Sequence, residues 1–277
     1  MAISINTNTA SMGAQRNLSK SQGRLNTSLA RMSSGFRINS AMDDAAGLGV
    51  SERMKSEIRG LGQASRNASD GLSVVQTAEG SMGEISDILI RMRELTVQAA
   101  SDSITDVERG YLDTEFQDLG TEVDRITAST KFNGNTLIDG TYATTGMDFQ
   151  VGTENGADFR ISVTMADVSM SGLGFGGTEA VDTKANSQST MAALDTALDN
   201  LNTARAGVGA KGNRLQVAKG SIDSMRENIS AANSRIRDTD IAAETSNFSR
   251  NQVLMQAGVS MLAQANAQPQ IALSLLG

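Results

Sequence analysis

The 277-residue sequence contains no histidine, no cysteine and no tryptophan, and only one proline. Histidine is the side chain that most readily exchanges protons near neutral pH, and cysteine supplies the thiol nucleophile and the disulfide. Their absence removes the most adaptable general base and the commonest transition-metal ligand. We therefore expect that the chain is not an enzyme and carries no cofactor.

Long apolar runs are also missing. No stretch of about 18 apolar residues occurs, which excludes a membrane span and predicts no membrane insertion. Residues 1–15 lack the basic segment followed by an apolar stretch that marks a cleaved signal peptide. Aromatic residues make up 3% of the chain, whereas it holds 14 methionines. This composition suits thin helical seams better than a large aromatic core.

Charge is distributed unevenly along the chain. Residues 1–42 hold five basic and no acidic side chains, and residues 251–277 hold no charged side chain. The intervening residues 43–250 hold 19 of the 24 basic and all 31 acidic side chains, a net charge of −12. The five cations are widely spaced and are not interleaved with aromatics, so we do not expect nucleic-acid binding.

Heptad periodicity is clearest in the second half of the chain. Large apolar residues recur there at every seventh position, and the position three residues later is mostly alanine, which predicts a closely packed coiled-coil helix. Two earlier segments repeat at intervals of three and four. The fold class predicted is mainly α, an elongated antiparallel helical bundle or coiled coil formed by the N- and C-terminal segments. The heptad positions are Leu194, Leu201, Val208, Leu215, Ile222, Ile229 and Ile236.

Residues 132–175 have a different pattern and hold five of the nine aromatic residues. Apolar residues alternate in 147–151 and again in 159–165, the period of a β-strand, and the turn-forming pair Asn155-Gly156 lies between them. We predict a small β-hairpin in the middle of the helical chain. The glycine- and serine-rich residues 172–188 are predicted to form a loop that returns the chain to helix.

The two ends of the chain carry apolar stripes. In the first arm the stripe consists of Leu18, Leu25, Leu29, Met32 and Phe36. After Phe248 the chain is nearly uncharged and places apolar residues on more than one helix face. Such a helix needs more neighbours than one partner helix can supply. The C-terminal residues predicted to pack against other chains are Phe248, Leu254, Met255, Val259, Leu262, Leu273 and Leu276.

The paired carboxylates Asp43 and Asp44 allow three interpretations: a metal or acid/base pair, the start of a helix, or part of a joint between helical bodies. A metal pair would need further ligands nearby, and the sequence offers no histidine and no repeating acidic loop. Ser40 and Asp43 fit an acidic variant of the capping box, and Asp44 would lie near the positive end of the same helix. We therefore predict that Ser40, Asp43 and Asp44 start a helix at a domain joint.

The stretch LARMSSGFRINSAMDDAAGLGVSERM, residues 29–54, resembles the N-terminal signature of bacterial flagellins. Residues 238–277 resemble their C-terminal signature, and IRMRELTVQAAS (90–101) and FNGNTLIDG (132–140) are also similar to family stretches in the same order. The resemblance implies a secreted, structural subunit that polymerises into the extracellular flagellar filament for swimming motility. The chain would be a short form that lacks large outer domains.

The resemblance also implies a domain organisation. Residues 1–44 and 236–277 would form an inner terminal coiled-coil domain with its connecting joint. Residues 45–131 and 189–235 would form a middle helical rod, to which the hairpin and return loop, residues 132–188, would belong.

Several partners follow from the resemblance. The chain would form a homopolymer with identical subunits after export in an unfolded state, an export chaperone would cover the C-terminal segment, and flagellar cap and hook-junction proteins would contact the polymer. The alternative is a flagellar hook-associated junction protein, which shares the terminal signatures. A protease inserted in the centre, as in some relatives, is not expected because the chain has no histidine to hold zinc.

The family resemblance further implies recognition by the host Toll-like receptor that senses flagellin monomers. Its contact region in the family is an Arg-x-Arg-Glu-Leu stretch with a glutamate on the adjoining helix. The matching residues here are Arg91, Arg93, Glu94, Leu95 and Glu115. Arginine offers a planar fork for bidentate hydrogen bonds, and leucine an apolar anchor. Position 90 is Ile where well-recognised relatives carry Gln.

Overall fold

The computed structural model describes residues 7–177 and 179–274 and, in the last helix, side chains as far as residue 268. The described residues are mainly helical, with two short antiparallel strand pairs, so the predicted fold class is confirmed. The helices are α1 (Thr9–Ser34), α2 (Ala45–Ala99), α3 (Asp106–Ser129), α4 (Met170–Leu173), α5 (Lys184–Arg237) and α6 (Ile241–Ser274). The strands are β1 (Lys131–Phe132), β2 (Asn135–Thr136), β3 (Met147–Gln150) and β4 (Arg160–Val163).

The described residues divide into two compact units. The first unit combines the described parts of Met1–Ser56 and Asn228–Gly277, and the second is the described part of Glu57–Glu227. The first therefore contains α1, α6 and the adjoining ends of α2 and α5. The second contains the rest of α2 and α5 together with α3, α4 and the strands.

In the second unit α2 and α5 run antiparallel. The Ser65 hydroxyl donates to Asp223 over 3.0 Å, and further along α2 the Arg93 Nε donates to Asp195 over 2.7 Å. The heptad positions of α5 from Leu194 to Ile222 are all buried, which confirms the predicted seam over that length. Burying each large aliphatic side chain contributes about 1.5–3 kcal/mol, so this seam is a main source of the unit's stability.

The turn between α2 and α3 is held by a complete capping box and a buried arginine. The Glu108 N–H donates to the Thr105 hydroxyl, and the Thr105 N–H donates to the Glu108 carboxylate over 2.8 Å. Arg109 is buried and donates to the carbonyls of Ala99 (2.7 Å) and Ser101 (2.8 Å). Since these carbonyls lie at the end of α2 and two residues after it, the arginine fixes the start of α3 beside the end of α2.

The predicted β-hairpin is present. Strands β3 and β4 pair antiparallel, with Met147 opposite Val163 and Phe149 opposite Ile161. A Cβ placed on Gly71 of α2 would lie 3.1 Å from both the Phe149 ring and Leu215 of α5. The hairpin is therefore packed directly against the α2–α5 pair. The close contact is possible because position 71 is a glycine.

The predicted return loop was wrong in part. A helical turn, α4, occupies Met170–Leu173, and α5 begins at Lys184 rather than after residue 188. The early start has a local cause: the Thr183 hydroxyl accepts a hydrogen bond from the Asn186 N–H over 3.2 Å, which caps the helix. Upstream, the Val181 N–H donates to Asp113 over 2.8 Å, which ties this segment to α3.

In the first unit α1 and α6 pack against each other in antiparallel fashion. Near the start of α1 the Asn8 side chain donates to the Ala265 carbonyl over 2.8 Å. Near its end the Arg31 guanidinium lies 4.0 Å from the carboxylate of Glu244, a buried residue at the beginning of α6. The reversed order of these contacts along the two helices defines the antiparallel pair.

Candidate functional site

The stripe predicted on the first arm is only partly covered by the described chain. Leu25 is buried, and Leu18 and Met32 are half-buried. Leu29 and Phe36 keep 48% and 37% of their surface exposed. Large aliphatic and aromatic side chains with this much exposed surface are available to pack against another molecule.

The C-terminal helix α6 has even more exposed apolar surface than α1. Phe248, Met255 and Leu262 recur every seven residues and are half-buried. Leu254 and Val259 are exposed to 46% and 54%. The prediction that one partner helix cannot cover all apolar faces of this segment agrees with their exposure.

Two further side chains on α6, Val253 and Met261, are exposed to 64% and 62% and enlarge its apolar surface. The side chain of Leu273 and the whole of Leu276, also predicted to pack, lie outside the described residues.

A groove of 910 Å³ runs between α1 and α6. Its walls are mostly small or amide side chains, with Leu18, Leu254 and Met261 as the large apolar members. Among the residues that the structure describes, no charged one lines it. The remaining lining residues are Ala10, Gly13, Ala14, Asn17, Ser21, Ala257, Gly258, Gln264, Ala265, Ala267 and Gln268.

Ser40 and Asp43 form a turn that precedes α2. The Asp43 carboxylate accepts hydrogen bonds from the N–H of Ser40 (2.9 Å), from its hydroxyl (3.1 Å) and from the N–H of Asn39 (3.2 Å). These bonds, and first of all the one from the Ser40 N–H, lower the pKa of Asp43. The Ser40 hydroxyl is thus a donor here and caps no helix.

The residue that caps α2 is Asp44. Its carboxylate accepts a hydrogen bond from the Gly47 N–H over 2.8 Å, and α2 begins at Ala45. The predicted capping box of Ser40 and Asp43 was therefore wrong, because the helix begins too late for Ser40 to reach its free N–H groups. The structure brings all three predicted residues together between α1 and α2, with Asp44 in the capping role.

Backbone pairing joins this segment to the α5–α6 break. Phe36 and Asp238 form an antiparallel bridge. The Arg37 N–H donates to the Arg237 carbonyl over 2.6 Å, and the Thr239 N–H donates to the Gly35 carbonyl over 2.9 Å. We call this pairing of residues 35–37 with residues 236–239 the joint clasp.

Side chains strengthen the joint clasp. The Arg37 guanidinium donates to the Ile236 carbonyl over 2.6 Å. The Arg237 guanidinium lies 4.6 Å from the centre of the Phe36 ring and is paired with Glu52 of α2. That hydrogen-bonded pair lowers the pKa of the Glu52 carboxyl. Sequence reasoning missed the clasp, since nothing in local periodicity connects positions about 200 residues apart.

The predicted receptor residues lie on α2 and α3. Arg91 donates to Glu115 (2.8 Å) and to Glu94 (3.1 Å), and all three side chains are largely exposed. The hydrogen bond that Arg91 donates to Glu115 is the largest of the interactions that raise the pKa of Arg91. Arg93 points to a different partner, Asp195 of α5. Arg91, Glu94 and Glu115 therefore form one charged surface cluster, which we call the ion triad.

Leu95 does not belong to that surface. It is 1% exposed and part of the core of the second unit, so the prediction that it offers an exposed apolar anchor was wrong. Its position in the helix faces inward with Met92, whereas Ile90 and Val97 are 48% and 49% exposed beside a shallow depression that Glu94 also lines. Exposed apolar surface near the ion triad therefore comes from Ile90 and Val97.

The described residues hold no group of three or more aspartates and glutamates placed to bind a metal ion. No helix among them combines the length and apolar character needed to cross a membrane.

Two protein-family models match the chain over most of its length. The bacterial flagellin N-terminal helical region matches residues 5–143, and the bacterial flagellin C-terminal helical region matches residues 191–276. The chain belongs to the bacterial flagellin family. The matched ranges include the terminal helices, the joint clasp and the ion triad of this flagellin, and leave residues 144–190 outside.

Curated relatives match over nearly their full length. The flagellin of Halalkalibacterium halodurans is 42% identical over 272 residues, covering 98% of this chain and 99% of the relative. The flagellar filament 30.7 kDa core protein of Treponema maltophilum is 39% identical over 284 residues, with the same coverage. A full-length match to such short relatives agrees with the predicted short form of flagellin.

Solved structures agree on the fold. The crystal structure of Bacillus cereus flagellin is 32% identical, with a TM-score of 0.50, and the match covers 61% of this chain and 94% of that one. A hook-associated protein from Vibrio parahaemolyticus gives a TM-score of 0.56 at 16% identity, covering 71% of this chain and 98% of that one, which shows the fold alone.

Membership in the flagellin family establishes the general function. This flagellin is a structural protein and a subunit of the flagellar filament, which lies outside the cell. The predicted family, filament function and location are confirmed.

Proposed function

We propose that this flagellin polymerises by packing the exposed faces of α1 and α6 against the same helices of neighbouring copies. The observation that supports it is the exposure of Val253, Leu254, Val259 and Met261, between 46% and 64%, on a helix without a charged residue after Arg250. Large apolar side chains exposed on more than one face of a helix mark an interaction surface. The chain's role is structural, without catalysis.

The same proposal assigns the segments to domains. Residues 1–44 and 236–277 form the terminal coiled-coil domain, with Ser40, Asp43 and Asp44 in its joint. Residues 45–131 and 189–235 form the middle helical domain, and residues 132–188 belong to it. The packing of Phe149 against Leu215 and Gly71 supports the last assignment.

The test of polymerisation is seeded growth. Purified, fluorescently labelled chain is added to short filament seeds, and filament length is followed by microscopy. We expect long homopolymers. A hook-associated junction protein, the alternative function, would add a single layer of subunits to the seed end and stop, and that result would contradict the proposal.

The exposed α6 surface also needs protection before assembly. We expect an export chaperone to cover it while the chain is unfolded, and the cap and hook-junction proteins to contact the terminal helices at the ends of the filament. A chain lacking residues 240–277 should lose the chaperone in a pull-down, while a chain lacking only the hairpin residues 147–163 should keep it. Chaperone binding by the first deletion would contradict this role.

A second proposed function is recognition of the monomer by the host Toll-like receptor. It is supported by the exposure of the ion triad, with Arg91 half-exposed, and by the exposed Ile90 and Val97 nearby. Arg91→Ala should cost about 1–3 kcal/mol of receptor binding. The structural control is Arg125→Ala, which removes an exposed ion pair with Glu122 on α3.

A cell reporter assay compares the monomer, cross-linked filament and both variants. We expect full signal from the monomer and from Arg125→Ala, and weak signal from filament and from Arg91→Ala. Equal signals from all samples would mean that the receptor reads another surface.

A further inference from the structure

The seam between α1 and α6 defines its own register poorly. Along the groove between the two helices most lining residues are glycine, alanine, serine or an amide, and a Cβ on Gly13 would meet nothing within 4 Å. Leu18 lies against Gly258, and a slip of one heptad would bring it against Ala265, which differs by a single methyl group. Register is set by interlocking of large and small side chains. The large residues at the seam recur every seven positions, Leu18, Leu25 and Met32 on α1 and Phe248, Met255 and Leu262 on α6, so a slip of one heptad keeps large residues on the seam of both helices.

The joint clasp, in contrast, allows no slip. Helix α1 ends at Ser34, two residues before Phe36, and α6 begins at Ile241, two residues after Thr239. A heptad slip would move the helices by about 10 Å relative to each other. These short connections cannot absorb such a shift without breaking the backbone hydrogen bonds of the clasp.

The clasp region of the described chain also contains buried polar atoms that form no hydrogen bond, which lowers the stability of the folded chain. The buried side-chain atoms without a hydrogen-bond partner among the described residues are Arg31 Nε, Asn233 Oδ1, Arg237 Nε and Thr239 Oγ1. All four lie in or beside the clasp. Buried polar groups that do not maximise stability can specify a unique arrangement, as polar residues do in coiled coils.

We infer that the joint clasp, and not the α1–α6 seam, sets the register of the terminal helix pair. Arg37 and Arg237 are then positioning residues, because they fix α1 and α6 through the backbone segments that precede and follow them. If the chain polymerises through its terminal helices as proposed, neighbouring copies meet a surface of α1 and α6 whose pattern is fixed by the clasp. The consequence for filament growth rests on that proposed function.

The chain contains no cysteine, so introduced cysteine pairs report register without background. A Cβ on Gly258 lies 3.9 Å from the Leu18 Cβ, within the range of about 3.5–4.5 Å for a disulfide. Leu18→Cys with Gly258→Cys therefore reports the native register. Leu18→Cys with Ala265→Cys, or with Asn251→Cys, reports a heptad slip in either direction.

Each cysteine pair is placed in three full-length backgrounds. One carries Arg37→Gln and Arg237→Gln, and a second carries Thr239→Pro, which removes the N–H donor to Gly35. The control carries Arg24→Gln and Arg250→Gln, the same charge change at exposed positions of α1 and α6. Oxidation is done in sulfate, which favours helix packing, and the disulfides are counted by mass spectrometry.

We expect the native link to dominate in the control, and the slipped links to rise roughly tenfold in both clasp variants. Slipped links that stay as rare as in the control would overturn the inference, because the seam would then hold register alone. Loss of native and slipped links together would also overturn it, since the clasp would merely hold the helices together. Seeded growth is measured in parallel on the control: native links without growth there contradict the proposed polymerisation, whereas the slipped links of the clasp variants decide the register inference separately.

Discussion

Asp44 and Gly47 act together at the start of α2. The Asp44 carboxylate lies over Gly47, and a Cβ there would also come within 2.8 Å of Ile38 Cδ1. Gly47→Ala should therefore displace the cap and destabilise the chain by about 0.5–2 kcal/mol, although alanine normally favours a helix. Gly49→Ala, two residues later with open space around it, should stabilise by up to about 1 kcal/mol.

Urea unfolding of both variants tests this pair of predictions. Gly47→Ala should lower the unfolding midpoint and Gly49→Ala should raise it. Both positions lie in α2, but only a Cβ at position 47 would collide with Asp44 and Ile38. A stabilising Gly47→Ala would show that Asp44 moves aside without loss.

Glu52 gives the joint a pH dependence of known sign. Its pairing with Arg237 lowers the pKa of Glu52 in the folded chain. A carboxyl with a lowered folded pKa stabilises above its ordinary pKa of about 4.3, and this contribution disappears as the pH falls through the folded value. The stability difference between the natural chain and Glu52→Gln should thus be largest near neutral pH and vanish in acid, once the pH has fallen below the folded pKa of Glu52.

The difference is measured by urea unfolding across that range. Glu57→Gln, five residues further along α2, serves as the control for general loss of a carboxylate. A difference that persists unchanged in acid would mean that Glu52 acts through packing rather than charge.

At the scale of elements, the α2–α5 seam carries the stability of the second unit. Leu215 of α5 is fully buried and lies close to Gly71 of α2. Val217, two residues later, is 73% exposed. Leu215→Ala should destabilise by about 2–5 kcal/mol. Val217→Ala should stay within about 0.5 kcal/mol. Thermal or urea unfolding distinguishes them, and equal effects would mean that α5 uses another face.

The elements that sequence analysis predicted well are those whose signal is local. The heptads of α5 and the alternation of β3 and β4 follow from periods of seven and two, and the buried face is read directly from them. The return segment failed because one residue, Thr183, supplied a cap that extended α5 toward the N-terminus. Capping depends on a single side chain within a serine- and threonine-rich stretch, where many positions offer the same signal.

The candidate site was predicted less completely for a related reason. The joint clasp consists mainly of backbone N–H and carbonyl groups, which every residue has, so no residue type marks it. Leu95 was misassigned because a sequence motif shows only which residues are neighbours in the chain. The charged residues Arg91, Glu94 and Glu115 lie together on the surface, and their role in receptor binding stays a prediction.

At the scale of the whole molecule, charge is separated along the chain. Residues 43–250 carry −12, and residues 251–277 carry no charged side chain. In a polymer built through the terminal helices, copies of the uncharged segment lie close together, so a charge added there is repeated at short distance in every subunit. A charge added to the acidic middle joins a surface that is already solvated and screened.

We therefore predict that Gln268→Glu impairs seeded filament growth, and that Gln216→Glu, the same substitution at an exposed position of α5, does not. Growth is measured as elongation rate at fixed subunit concentration. If repulsion between copies is the cause, raising the salt from about 0.1 M to about 1 M should restore growth of Gln268→Glu, because the screening length falls from about 10 Å to about 3 Å. Gln268→Asn, which shortens the side chain without charge, should grow normally. Impaired growth of the asparagine variant, or failure of salt to rescue the glutamate variant, would instead assign the defect to packing in the groove between α1 and α6.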